Sequence, residues 1–285
     1  MPLQSYDKQQ PDPPLDAPLW RFMPMNYFQD LMANEELYLR RFDKYKKDDP
    51  LDGLPTPEYM RRVCGLRRYD IQDELTLLAD QGSNRLFTEM YYLSCWNLYN
   101  PQHEMQMWQQ YAEYGVAVKT TFGQLQKAVD KFPDEMFMGK VRYGDQDMTG
   151  YNLLQFLFTK GEKFSWESEV RIALCAPDPK GGQARNYDEF NNPHDDALDH
   201  LYSRHSWVHD EKRRRCILKD IIIGIAISPW ATDDIADEVR NCWASVSNIK
   251  LPVEHMQSFL IPCRKMLATH GDVGHLKRED IVAPV

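Results

Sequence analysis

The sequence predicts a single α+β domain, on three observations. Short strand-like runs recur between helical runs without the regular strand–helix alternation of a doubly wound sheet. Neither G-x-G-x-x-G nor G-x-x-x-x-G-K-[ST] occurs, so two common glycine-rich nucleotide cradles are missing. The 285 residues, 42% hydrophobic and 27% charged, suit one domain with a sizeable core.

Residues 1–18 carry Pro2, Pro11, Pro13, Pro14 and Pro18 and are read as an extended arm, not a signal peptide. The domain is placed at 19–285. Leu19–Met23 is a first strand stopped by Pro24, and 26–33 a helix with Tyr27, Phe28, Leu31 and Met32 on its apolar side. Leu37–Leu39 is a second strand, followed by turn chemistry at Asp49-Pro50-Leu51-Asp52-Gly53. Residues 58–90 read as mostly helical, and Met90–Trp96 as a strand rich in aromatics. A helix over 104–114 is expected to end on Gly115 as its C-terminal glycine. Val116–Val118 is a strand, 124–132 a helix, Lys140–Tyr143 a strand, 152–160 a helix and Val170–Cys175 a strand. Residues 177–215 are polar, rich in Asp, Asn and His, and read as a loop insertion. Leu218–Ile227 is read as a buried strand, 233–244 as a helix with Asp233 in its first turn, and Leu251–Val253 and Ser258–Cys263 as closing strands.

Net charge is −9, which argues against the whole surface binding polyanions. Cys64, Cys95, Cys175, Cys216, Cys242 and Cys263 form no C-x-x-C pair and read as reduced thiols of a cytoplasmic protein. No apolar run approaches the roughly 20 residues a membrane span needs. His194, His200, His205 and His209 lie among aspartates, but their spacing fits no H-E-x-x-H template, so no metal is expected.

Three segments can carry chemistry. In Trp166-Glu167-Ser168-Glu169-Val170-Arg171 two carboxylates stand two apart where a strand begins. A strand's period of two puts both on one face, where like charges repel unless a ligand hydroxyl pair, a cation or an oxocarbenium ion separates them. The bland alternative is a solvated edge paired with Arg171 or Lys163. In Tyr92-Leu93-Ser94-Cys95-Trp96 a strand hydroxyl sits among aromatics, able to bond a ribose or to brace a neighbouring strand. In Trp20-Arg21-Phe22 a guanidinium can grip a phosphate, or its stem can simply pack on the sheet.

Arg21, Ser94 and Glu167-x-Glu169, in that order on successive strands, resemble the Arg–Ser–Glu class of ADP-ribosyltransferases. The order of Trp20-Arg21-Phe22, Asp49 to Gly53, Leu93 to Trp96, Met107 to Ala112, Gly115 to Val118, Trp166 to Arg171 and Ile221 to Gly224 also resembles a widespread bacterial family of unknown function. The first resemblance implies a split, mixed or antiparallel sheet with flanking helices that grips NAD as substrate. Glu169 would bind the nicotinamide ribose and stabilise the oxocarbenium-like transition state, and Glu167 would orient or deprotonate the acceptor. Arg21 and Ser94 would contact phosphate or ribose, and Tyr91, Tyr92 or Trp96 would stack on nicotinamide. Cys95 and Trp96 after Ser94 depart from the hydroxyl-rich second motif of that class.

A macromolecular acceptor, nucleic acid or protein, is implied, in a toxin or phage-defence setting. Nine cations between Arg40 and Arg68 stand against five acids, with Phe42, Tyr45 and Tyr59 interleaved, a composition that suits nucleic acid as well as solvated faces. Lys212–Arg215 form a second basic run. The competing expectations are a non-catalytic nucleotide- or peptide-binding module and a metal-dependent nuclease-like toxin.

Overall fold

The structure is a computed structural model that describes residues 4–5, 11–45, 52, 91–144, 153–175, 211–248 and 251–256. It is a mixed α+β fold in which the described residues build a ten-stranded sheet with parallel and antiparallel pairs, flanked by several helices. The strands are β1 (Gln4–Ser5), β2 (Pro18–Met23), β3 (Glu36–Arg41), β4 (Tyr91–Leu98), β5 (Val116–Thr121), β6 (Met136–Lys140), β9 (Glu169–Cys175), β10 (Glu211–Arg215), β11 (Gly224–Ile227) and β12 (Val253–His255). The main path runs β1-β6-β9-β4-β2-β5-β11-β12, and β3 joins β10 to β4. A separate two-stranded parallel ribbon pairs β7 (Arg142–Tyr143) with β8 (Thr159–Lys160). The helices are α1 (Met25–Asn34), α2 (Glu104–Tyr111), α3 (Phe122–Val129), α4 (Leu153–Leu157), α5 (Leu218–Ile221) and α6 (Asp233–Val246).

Alternation along the strands sorts the side chains into two layers. Leu19, Met23, Tyr92, Trp96, Val116, Val118, Val170, Ile172, Leu174, Ile225 and Ile227 face α1, α3, α5 and α6 in the larger core. On the opposite face, Trp20, Ala117 and Ala226 meet Trp108 of α2. Leu93, Phe137 and Ala173 there meet Phe42, Leu157 and Phe158. Trp20 stacks on Tyr99 at 4.3 Å, and the Lys119 ammonium sits 4.5 Å from the Trp20 ring centroid.

The feature that positions the site is a fork in the sheet. One edge of β4 pairs continuously with β9, from Tyr91↔Cys175 to Asn97↔Glu169. Its other edge is shared. Asn97 and Leu98 pair with Trp20 and Leu19 of β2, whereas Tyr92 and Leu93 pair with Arg41 and Arg40 of β3. Residues 94–96 have no strand partner on that edge among the described residues. Arg21 stands in the fork and donates from Nη2 to the Tyr38 carbonyl of β3 at 3.2 Å.

Several expected elements differ. Pro18 already belongs to β2, and Gln4–Ser5 add a parallel strand to β6, so the N-terminal segment contributes to the sheet. α2 stops at Tyr111, before Gly115. Gly115 is needed for close approach, since a Cβ there would lie 2.2 Å from the Met23 carbonyl oxygen. The helix expected over 152–160 breaks into α4 and β8, and the strand expected over 218–227 opens with the one-turn helix α5. Glu211–Arg215 of the expected loop insertion form β10 on β3. The expected helices of 58–90, most of the polar insertion with its four histidines, and the strand at 258–263 lie outside the described residues. No helix among the described residues is long and apolar enough to cross a membrane.

Candidate functional site

A pocket of about 360 Å³ opens at the fork. Its lining includes Glu167, Glu169, Lys160, Arg171, Asp52, Cys95 and Asn97 together with Arg21, Tyr27, Asp30, Leu31, Glu36 and Tyr38. Phe22, Tyr111, Phe164 and Trp166 supply aromatic wall.

Glu167 and Glu169 both reach the pocket, but not by the strand periodicity expected of them. β9 begins only at Glu169. Glu167 ends a 3-10 turn (Glu162–Glu167), and Ser168 takes a left-handed conformation with φ 46°. This kink, unfavourable for a residue with a Cβ, turns Glu167 into the same space as its neighbour. Two contacts fix the corner from outside. The Leu98 amide donates to the Ser168 carbonyl at 2.9 Å, and the Asn97 side-chain amide to the Glu167 carbonyl at 2.9 Å.

Both carboxylates are 3% exposed, so the edge is not solvated, but the pairing with Arg171 expected in the bland alternative is present at Glu169, and Lys160 takes the place of Lys163 at Glu167. Arg171 donates to Glu169 from Nε at 2.8 Å and from Nη2 at 3.2 Å. Nη1 donates to Asp52 Oδ1 at 2.9 Å and to the Leu157 carbonyl at 2.7 Å, and Nη2, shared with Glu169, donates to Asp52 Oδ2 at 3.0 Å. Lys160 lies 2.6 Å from Glu167 Oε2 and 3.6 Å from Glu169 Oε2. The Tyr111 hydroxyl donates to Glu167 Oε1 at 2.6 Å. The Glu169 amide donates to the Tyr143 hydroxyl of β7 at 2.7 Å.

The same arrangement separates the two acids electrostatically. Burial pushes Glu169 up, but Arg171, Lys160 and the Cys95 thiol outweigh it and bring its carboxyl down to about 2. Burial dominates at Glu167, and with the Glu169 charge beside it lifts its carboxyl above the ordinary value despite Lys160 and Tyr111. Burial also raises Asp52 against the pull of Arg171. Cys95 is held well above the usual thiol value by burial and by Glu169, so it is a protonated donor and not an activated nucleophile. A permanently ionised acid beside one that can take a proton is the division of labour expected at a site of charge separation.

Arg21 lines the pocket and is half-buried. Desolvation lowers its pKa. Among the described residues no carboxylate pairs with it; its guanidinium meets the Tyr38 carbonyl and lies 5.7 Å from the Trp96 ring centroid. A desolvated guanidinium with one neutral acceptor is a ready seat for an anion.

Ser94, Tyr92 and Trp96 do not line the pocket. They alternate with Cys95 and Asn97, and they face the larger core with at most 2% exposure. Trp96 Nε1 donates to Ser94 Oγ at 3.3 Å, which satisfies a buried hydroxyl inside the fold. The pocket face of β4 is therefore Cys95 and Asn97. Tyr91 packs with Phe42 and Leu93.

The described part of the basic segments is mostly engaged within the fold. Arg41 pairs with Asp43 at 2.6 Å, Arg213 with Asp30 at 2.6 Å, and Arg214 with Asp134 at 2.5 Å. Arg40 is exposed and lines the pocket, its guanidinium 5.6 Å from the Tyr45 ring centroid. The six cations from Lys46 to Arg68 lie outside the described residues. Among the described residues no group of three or more His, Cys, Asp or Glu side chains is arranged to hold a metal ion. No protein-family model, curated protein or solved structure matches the chain.

Proposed function

We propose that the pocket takes the nicotinamide-ribose end of NAD and that the protein transfers ADP-ribose to a macromolecular acceptor. The observation that carries this reading is the meeting of Glu169, Glu167 and Arg21 in one aromatic-walled pocket at the fork. Glu169, held ionised, faces the ribose C1′ as positive charge develops there. The C1′–N bond breaks, and its electron pair leaves with neutral nicotinamide. The acceptor's lone pair then forms the new bond to C1′, and its proton passes to Glu167. Arg21 binds a phosphate of the pyrophosphate bridge, and Trp166 or Tyr111 flanks the nicotinamide ring. Ser94, Tyr92 and Trp96 brace β4 from behind and do not touch NAD.

The alternative of a non-catalytic binding module draws on one observation, that protein cations already engage Glu167, Glu169 and Asp52. One assay separates the two. Incubation with NAD is expected to release nicotinamide, with the rate falling about 100-fold or more in Glu169→Gln. Saturable NAD binding without release would favour the module, and activity abolished by a chelator would favour the nuclease.

A further inference from the structure

The group that joins the two acids is Lys160, on a two-residue strand with no periodic pattern to announce it. We infer that Lys160 is a positioning residue, holding the Glu167 carboxylate charged and aimed into the pocket beside Glu169. The inference rests on the reading of Glu167 as the proton acceptor of transfer.

The placement of Lys160 is built. Among the described residues β8 pairs only with β7, and that ribbon carries two groups to the acids: Lys160, and the Tyr143 hydroxyl on the Glu169 amide. The Lys160 side chain is 12% exposed, and its ammonium lies 4.7 Å from the Phe164 ring centroid. Such a desolvated ammonium is tolerable only against carboxylates or a ring face, and here it has both.

Glu167 is surrounded by groups from several elements. α2 presents the Tyr111 hydroxyl to it, β7 Tyr143 and β9 Glu169, while Cys95 of β4 and Arg171 face Glu169. His103 and Glu104 share a small cleft with Glu167. Arg171 gives its donors to Glu169, Asp52 and the Leu157 carbonyl. Lys160 is the one cation within 4 Å of Glu167 among the described residues. Without it, Glu167 would face the charge of Glu169 with the neutral Tyr111 hydroxyl for support, and its protonated form would be favoured further.

The test needs no substrate. In protein labelled with ¹³C at the glutamate carboxyls, the Glu167 signal is assigned by its loss in Glu167→Gln and titrated in wild type, Lys160→Met and Lys160→Arg. The midpoint should rise by about 1–3 pH units in Lys160→Met and stay near wild type in Lys160→Arg. A folded Lys160→Met with an unmoved Glu167 midpoint overturns the inference. Should that variant not fold, Lys160→Gln, an uncharged donor of similar length, decides by the same criterion. If NAD is turned over, the acid limb of the transfer rate should move up with the midpoint. Absence of turnover with a moved midpoint would sink the transferase reading and leave the Lys160 assignment standing; turnover with an unmoved midpoint does the reverse.

Discussion

Arg171→Met should destabilise the protein strongly near neutral pH and much less in acid. Arg171 is 1% exposed and holds two carboxylates, Asp52 and Glu169, that have almost no contact with water. Glu169 titrates near 2 instead of the ordinary 4.5. At about 1.4 kcal/mol per unit, that depression corresponds to roughly 3 kcal/mol of stability at pH 7. Removing one partner of a buried pair costs about 3–5 kcal/mol, because the other charge stays buried. In wild type, the depressed Glu169 pKa contributes stability above about pH 4.5 that is lost as pH falls toward 2. In the variant, burial without Arg171 raises the folded pKa of Glu169 and raises Asp52 further. Their contribution is then present below their unfolded values and lost as pH rises through the raised ones. The gap between the two proteins is therefore widest near pH 7 and closes between about pH 5 and 2. Urea unfolding followed by tryptophan fluorescence at pH 7 and pH 3.5 measures it. An equal gap at both pH values would mean that Arg171 acts by packing alone, and a gap under about 1 kcal/mol at pH 7 would refute the charge argument.

Two backbone positions give further predictions. Ser168→Gly should raise stability by up to about 1 kcal/mol, since φ 46° carries a steric penalty that glycine escapes; a lowered urea midpoint would show that the corner is not strained. Gly115→Ala should destabilise by about 2–3 kcal/mol, because its Cβ meets backbone, the Met23 carbonyl oxygen, and not a side chain that can swing away; a midpoint within error of wild type would contradict the close approach of β5 and the end of β2.

Much of the fold was legible because its strands follow hydrophobic alternation. Val170, Ile172 and Leu174 alternate with Arg171 and Ala173, and β9 lies where that pattern placed it. Pro24 stops β2 as a residue without an amide donor should, and α1 follows at once. The failures share a cause. α5 and β8 are too short to display a period, and β10 has no apolar face, since its strand Glu-Lys-Arg-Arg-Arg is held by β3 and by ion pairs to Asp30 and Asp134. The Gly115 expectation erred because glycine has two uses, a left-handed turn and a close approach, and sequence does not distinguish them.

At the site, the sequence named the two acids and Arg21 but misread how the chain brings them together. Strand period would have placed Glu167 and Glu169 on one face of β9, whereas a left-handed residue between them does that work. The same period, applied to β4, separates Ser94 and Trp96 from Cys95 and Asn97, yet which set faces the pocket depends on the layer that covers each face. That layer is contributed by α1 and α6 on one side and by Phe42, Leu157 and Phe158 on the other, all distant in sequence. Asp52 and Lys160 were invisible for the same reason. Each matters only through a partner 119 or 7 residues away: the turn signal at Asp49 to Gly53 says nothing of Arg171, and the two-residue β8 has no pattern of its own. A charge cluster of this kind is assembled by the fold, so its acid–base character cannot be read from the spacing of Glu167 and Glu169. It follows from which of the two receives the guanidinium and which the ammonium.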